Sequence, residues 1–183
     1  MKGNLSFFPT FSIDKFPLPC HNHTALAPFA KWWQSKEKIG SSFTMDQKVR
    51  EAIFRQVDRE PFARKFDLKL VSLDEGYSKV EMTFTPDMEN IFGMAHGGAL
   101  FALIDEAFET ASNSHGTTAV ALNLNITYVS SPVPRSRLVA EAKEFSLTPK
   151  TANYDIRVTD EKGSLIASCQ ALVYRKGTPL PFL

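Results

Sequence analysis

The sequence predicts an α+β fold in which an antiparallel β-sheet wraps around one long central α-helix. Segments of alternating apolar and polar residues lie on both sides of one apolar helical segment, residues 97–113. Short turns with glycine, such as Asp74-Glu75-Gly76, join some of these segments, which favours antiparallel pairing. Apolar residues cover well over half of the helix circumference, so we expect the sheet to wrap it.

The individual elements follow from local patterns. A first helix is predicted after Met45, because Val49, Ile53 and Val57 recur on one face before Pro61 ends the pattern. From residue 66 onward the order is strand, strand, long helix and four strands. The clearest strands are "YSKVEMTFT", "ANYDIRV" and "SLIASCQALVY". The strand "TAVALNLNITYV" is predicted to carry five apolar residues on one face: Val120, Leu122, Leu124, Ile126 and Tyr128.

Three regions are expected: an N-terminal extension (residues 1–44, accessory or disordered), a main domain (45–176) and a C-terminal tail (177–183). The extension holds Trp32 and Trp33 and shows no periodic pattern. Met45 is a plausible natural start, so the extension is either an accessory tail or an over-long reading of the gene. A docking or lid segment is the functional alternative.

Composition excludes several classes of function. Lys and Arg total 21 against 20 Asp and Glu, so charge gives no reason to expect nucleic acid as a partner. No apolar run approaches the ~18 residues of a membrane span. Pro9, Asp14 and Pro17 interrupt the N-terminus, which argues against a signal peptide. Cys20 and Cys169 are the only cysteines, which favours a reducing compartment, and a cytoplasmic protein is predicted.

A His-Gly-Gly triplet, His96-Gly97-Gly98, opens the apolar helix, and an acid, Asp105, lies within it. The first amides of a helix lack internal partners, so those of Gly97 and Gly98 can donate to a carbonyl oxygen that becomes an oxyanion. Eight residues of helix rise about 12 Å, which keeps Asp105 from acting on the same atom within one chain. If both serve one reaction, the spacing predicts an obligate homodimer with two shared sites.

Each of these features also has a structural interpretation. A Gly-Gly pair is typical of a tight turn, and a lone histidine is typical of a structural contact. Asp105 is compatible with a solvated strip of the helix that also holds Glu106 and Glu109.

The segment "AHGGALFALIDEAFETASNSHG" resembles the hotdog-fold acyl-CoA thioesterases, in particular the phenylacetic-acid-degradation type called PaaI. The resemblance covers about residues 66–176. It implies a hotdog fold and an enzyme that hydrolyses the thioester of an acyl- or aryl-acyl-CoA. Asp105 would be the nucleophile or general base, and the Gly97 amide of the partner subunit would polarise the carbonyl. His96 and Asn90 would orient the thioester and the attacking water.

The resemblance also implies where coenzyme A binds. Gly98 would contact the substrate, and the polar and basic residues assigned to the coenzyme A phosphates are Ser130, Ser131, Arg135 and Lys150. The acyl pocket would be lined near Ile91, Phe92, Met94, Phe108 and Ala121. No metal or separate cofactor is expected, since coenzyme A is part of the substrate and the histidines and cysteines form no cluster in the sequence.

The expected assembly is a homodimer that pairs into a dimer of dimers. Three alternatives remain open on the sequence alone: a non-catalytic acyl-CoA sensor, a dimeric scaffold, and a hotdog hydratase or dehydratase.

Overall fold

The computed structural model describes residues 45–183, which form three α-helices and six β-strands. The predicted N-terminal extension, residues 1–44, lies outside the described residues. The elements are α1 (Gln47–Arg59), α2 (Pro61–Lys65), β1 (Lys69–Asp74), β2 (Tyr77–Thr83), a 3-10 turn (Pro86–Met88), α3 (Gly97–Asn113), β3 (Thr117–Tyr128), β4 (Arg137–Leu147), β5 (Thr151–Asp160) and β6 (Leu165–Pro179). The predicted order of strand, strand, long helix and four strands is confirmed.

The strands form one antiparallel sheet in the order β1-β2-β4-β5-β6-β3. Hydrophobic residues on the inner face of the sheet come into register across neighbouring strands. Val80 pairs with Ala140 and Ile156 pairs with Cys169, and all four are buried. β3 pairs only with β6, so among the described residues the other edge of β3 has no partner strand.

Helix α3 lies against this sheet and contacts all six strands. Leu103, Ile104 and Ala107 have no exposed surface, and Phe108 packs edge-on against Tyr154 with ring centroids 5.4 Å apart. An apolar helix of this kind needs protein on most sides to remove its surface from water. The predicted α+β fold, with the sheet wrapped around the central helix, is confirmed.

Helix α1 packs against β1 and begins where the sequence predicts it. The Asp46 side chain caps the helix by accepting a hydrogen bond from the Lys48 amide at 2.7 Å. Its buried face includes Val49, Ile53 and Val57, and Arg50 donates to the backbone carbonyl of Leu73 in β1.

The predicted single apolar face of β3 is wrong. The register shifts between Ala121 and Asn123, where one extra residue enters the strand. Leu124 and Ile126 therefore pair with the buried residues Ala171 and Cys169, whereas Val120 pairs with the exposed Tyr174 and faces the other side. A bulge changes which residues share a face, because side chains alternate along a strand.

The C-terminal residues are structured beyond residue 176, where the sequence predicts a tail to begin. β6 continues to Pro179, and Leu180 is 4% exposed within the main hydrophobic core. The Leu180 amide also donates to the Gly116 carbonyl at 3.3 Å. The last residues therefore pack against the C-terminal end of α3.

Candidate active site

The His-Gly-Gly triplet forms the N-terminal cap of α3. His96 has an extended backbone, and its Nδ1 accepts a hydrogen bond from the Gly98 amide at 2.9 Å. The Gly97 amide has no acceptor among residues 45–183. Since helix N-termini carry a partial positive charge, this amide is a donor available to an anionic oxygen.

Gly97 is fixed in place by a tyrosine from β3. The Tyr128 hydroxyl donates to the Gly97 carbonyl at 3.1 Å, and a Cβ on Gly97 would lie 3.1 Å from the tyrosine ring. Glycine thus lets β3 and the helix N-terminus approach closely. The contact sets the direction of the first turn of α3.

The loop before the helix is organised by Asn90. Its Oδ1 accepts hydrogen bonds from the amides of Phe92 at 2.9 Å and Met94 at 3.2 Å. The loop exposes large apolar side chains, with Ile91 93% exposed and Phe92 74% exposed. Asn90 therefore holds a protruding apolar loop next to His96.

Asp105 lies on α3 about 12 Å along the axis from Gly97, as the rise of an α-helix requires. Its side chain is half-buried, and burial raises the pKa of its carboxyl group. Asn90, His96 and Gly97 thus lie together at the start of the helix, while Asp105 lies apart from them within one chain. The four residues predicted to be catalytic therefore lie at two separate places along the chain.

Other acids surround Asp105. The interpretation of Glu106 as part of a solvated strip is wrong, because Glu106 is only 3% exposed. Burial, and then the charges of Glu60, Glu109 and Asp105, raise the pKa of Glu106 to about 8. Glu109, in contrast, is exposed. Sequence reasoning missed Glu60, which α1 brings to α3 and which carries no local signal.

A cavity of about 260 Å³ adjoins these acids. Its lining comes from residues 53–57 of α1 and Glu60 after it, 106–113 of α3, 118–120 of β3 and 180–182 at the C-terminus. A larger depression, of about 490 Å³, lies open on the outer face of α1 and is lined by that helix alone. Of the two, the smaller cavity is lined by Glu106, which follows Asp105 in the sequence.

The residues expected to line an acyl pocket lie elsewhere. Phe108 is buried in the core against Tyr154, and Ala121 is exposed on β3. Ile91, Phe92 and Met94 belong to the exposed loop.

The residues expected to bind coenzyme A do not form one cluster in the single chain. The Ser131 hydroxyl accepts from the Ala95 amide at 3.4 Å, beside the His-Gly-Gly cap, and the Ser130 hydroxyl donates to the Leu165 carbonyl at 2.8 Å. Lys150 instead lies over the Tyr174 ring at 5.9 Å. Since nine residues of strand separate Leu165 from Tyr174, Lys150 is roughly 30 Å from Ser130.

Two other predicted substrate residues are held by backbone contacts. Arg135 has a positive φ of 70°, and its amide donates to the Phe84 carbonyl at 2.7 Å, which leaves its side chain exposed at the end of β2. The Gly98 amide is already bonded to His96, so Gly97 is the better placed donor of the two.

Comparison with known proteins identifies the family. The family model of the thioesterase superfamily matches residues 92–167, which include α3 and its cap. The acyl-coenzyme A thioesterase PaaI of Escherichia coli is 30% identical over 133 residues, 73% of this chain and 95% of that protein. Its solved structure matches with a TM-score of 0.70 and 29% identity, over 74% of this chain and 98% of that chain.

Two further solved structures agree. The TT0310 protein of Thermus thermophilus matches with a TM-score of 0.61 and 38% identity, over 64% of this chain and 98% of that chain. The smu.793 protein of Streptococcus mutans, solved bound to acetyl CoA, matches with a TM-score of 0.59 and 26% identity, over 62% of this chain and 91% of that chain. The chain therefore belongs to the thioesterase superfamily, as a thioester hydrolase with the hotdog fold of the PaaI type.

Two further observations concern residues 45–183 alone. They contain no group of three or more His, Cys, Asp or Glu side chains placed to hold a metal ion. No helix in this range is both long and apolar enough to cross a membrane.

Proposed function

We propose that the protein hydrolyses acyl-CoA thioesters at sites shared between two subunits, with Asp105 of one chain facing Gly97 of the other. The main support for this proposal is that two chemically complementary groups, an amide donor and a carboxyl group, lie far apart on one helix. A free amide donor stands at the start of α3, and a half-buried carboxyl group stands about 12 Å further on. A two-fold axis between two such helices brings each donor to the other chain's acid.

The relatives support coenzyme A as the leaving group. The E. coli relative is named as an acyl-coenzyme A thioesterase, and the S. mutans structure holds acetyl CoA. Membership in a family of thioester hydrolases favours hydrolysis over the sensor, scaffold and hydratase alternatives.

In this mechanism the Gly97 amide donates to the thioester carbonyl oxygen and stabilises the negative charge that develops there. Asp105 takes a proton from water as the water oxygen attacks the carbonyl carbon. The tetrahedral intermediate then collapses, the C–S bond breaks, and the coenzyme A thiolate leaves and takes up the proton that Asp105 removed from water. In the alternative route the Asp105 carboxylate attacks the carbonyl carbon, and the C–S bond breaks to release the coenzyme A thiolate. Water then hydrolyses the mixed anhydride to the free acid and the Asp105 carboxylate.

The raised pKa of Asp105 makes its carboxylate a stronger base than an exposed aspartate. His96 and Asn90 act as positioning residues. The acceptor nitrogen of His96 holds the first turn of α3, and the acceptor oxygen of Asn90 holds the loop before it. Both contacts keep the Gly97 amide directed outward.

The edge strand β3 supports a dimer. One edge of it is unpaired within the described chain, and Leu122, Tyr128 and Val129 on or next to it are at least half exposed. An exposed apolar edge strand of this length favours pairing with a second copy. Pairing of two dimers into a tetramer stays a prediction.

The decisive test removes the Gly97 amide hydrogen. Gly97 is the first residue of α3, a position where proline is well tolerated, and His96 already has the extended backbone that a following proline requires (φ −68°, ψ 129°). Gly97→Pro therefore deletes the donor while the helix is retained. Gly97→Ala is the matched control, since it adds the same Cβ against Tyr128 and keeps the amide.

Release of free coenzyme A thiol from acyl-CoA substrates is the assay. We expect Gly97→Pro to lower kcat about 10²- to 10³-fold relative to Gly97→Ala, and Asp105→Asn to lower it about 10²- to 10⁴-fold. Equal rates for the Pro and Ala variants would refute the role of the amide.

Shared sites have a further consequence for mixed dimers. A Gly97→Pro/Asp105→Asn heterodimer contains one site with both native groups and one site with neither. Random mixing of the two inactive variants should therefore restore about a quarter of the parent activity. No recovery in mixtures that native mass spectrometry shows to contain heterodimers would place both groups in one chain.

A further inference from the structure

The cavity beside Asp105 has a composition that indicates what it binds. Glu106 directly follows Asp105 and lines the cavity, and Glu109 lies one helical turn further along. At about 30 Å³ for each water-sized group, a volume of about 260 Å³ holds roughly eight non-hydrogen atoms. That is the size of a short acyl group.

Glu106 is a buried carboxyl group without a partner. It is 97% buried, and its Oε1 has no hydrogen-bond partner among residues 45–183. The nearby Thr110 hydroxyl is already used, because it donates to the backbone carbonyls of Glu106 at 2.8 Å and Ala107 at 3.2 Å. An unsatisfied buried polar group costs free energy, which a ligand that supplies the missing hydrogen bond recovers.

The other polar lining groups do not supply that bond. The Asn113 side chain is held by the backbone carbonyls of Glu109 and Ala119 and by the Ala119 amide. Three carboxyl groups line the cavity, from Glu60, Glu106 and Glu109, and the lining described contains no lysine, arginine or histidine. A carboxylate entering this space would give up its hydration without meeting a cationic side chain in the lining.

We propose that this cavity receives the far end of the acyl group and selects acyl groups that carry a hydrogen-bond donor there, with Glu106 as the acceptor. The inference rests on the proposed function and names its substrate class. A hydroxyl group and an ammonium group both have the required donor. An unsubstituted alkyl end leaves Glu106 unsatisfied, and a terminal carboxylate finds no cation in the lining to offset its loss of hydration.

Four six-carbon CoA thioesters test the proposal: hexanoyl-, 6-hydroxyhexanoyl-, 6-aminohexanoyl- and adipoyl-CoA. For the full-length parent protein we expect kcat/KM for the better donor-bearing substrate to exceed that for hexanoyl-CoA by about tenfold or more. We expect adipoyl-CoA to be the poorest substrate. The hydroxyl and amino substrates show which donor is preferred.

Two variants test whether Glu106 causes the substrate selectivity. In Glu106→Met the ratio of donor-bearing to hexanoyl-CoA kcat/KM should fall to about one, because the acceptor is gone. Glu106→Gln keeps an acceptor oxygen without the acidic group, so it should retain the preference for the hydroxyl substrate and lose that for the amino substrate. Glu161→Gln, a change at an exposed acid in the β5–β6 turn, is the matched control and should keep the parent ratio.

The outcomes separate the two claims. Hydrolysis of hexanoyl-CoA at least as fast as both donor-bearing substrates would overturn the donor inference and leave the proposed function standing. A preference for donor-bearing substrates that persists in folded Glu106→Met would overturn the same inference. Absence of thiol release from all four thioesters by folded parent protein would overturn both.

Discussion

Replacing Glu106 with glutamine tests whether a carboxyl group is buried beside Asp105 without a compensating cation. In the unfolded chain this group ionises near its ordinary pKa of 4.5, whereas in the folded protein burial first, and then three neighbouring acids, raise its pKa to about 8. Between those values the folded state binds more protons than the unfolded state. The free energy of unfolding should therefore fall as the pH rises through this window.

The magnitude follows from the width of the window. About 3.5 pH units at about 1.4 kcal/mol each give on the order of 5 kcal/mol as an upper value, which any water in the cavity reduces. Glu106→Gln has the same shape and cannot ionise. It should match the parent to within about 1 kcal/mol near pH 5 and exceed the parent stability by several kcal/mol near pH 9.

Urea unfolding between about pH 5 and pH 9, at one fixed protein concentration, measures this difference. Glu161→Gln removes an acid that is exposed, so its stability profile should run parallel to that of the parent. If the stability profile of Glu106→Gln also runs parallel to that of the parent, the Glu106 carboxyl group is not buried in the way the structure shows, and the reasoning fails.

Three other changes have clear expected results. Leu103→Ala, at a position with no exposed surface, should lower the free energy of unfolding by about 2–5 kcal/mol in urea titrations, and a loss below about 1 kcal/mol would contradict the described core. His96→Ala removes the cap of α3 and should lower the free energy of unfolding by about 0.5–2 kcal/mol. His96→Asn can still cap the helix and should restore most of that free energy. Equal stability of the two variants would argue against capping. His115 hydrogen-bonds to Glu144 at 2.7 Å, and this interaction raises the pKa of the histidine. The stabilisation from the protonated histidine is therefore complete below about pH 6.5 and is lost as the pH rises through the raised pKa. The stability difference between the parent and His115→Gln should thus be larger near pH 6 than near pH 9, and a difference that grows with pH would contradict the assignment.

Local patterns in the sequence predicted the main elements correctly. Helix α3 covers residues 97–113, as predicted, because its apolar spacing and the His-Gly-Gly cap both act within a few residues. The separation of Asp105 from Gly97 was also predictable, since the rise of an α-helix does not depend on what packs around it.

Features that depend on neighbouring strands were not predictable in the same way. The bulge that turns Val120 away from Leu124 exists only because β3 pairs with β6 in a shifted register. The distance between Lys150 and Ser130 depends on which end of β6 each residue meets. The residues of β3 and of the loops give no local sequence signal of either pairing.

The sequence alone determined that one helix carries a backbone donor at its start and an acid two turns later, and from this it predicted that each chain holds half of a site. Only the tertiary structure decided that the next acid, Glu106, lies in a cavity instead of in solvent. The physical reason is that burial depends on the parts of the chain that cover a residue. Helix α1 and residues 180–182, distant in sequence, close over this face of α3.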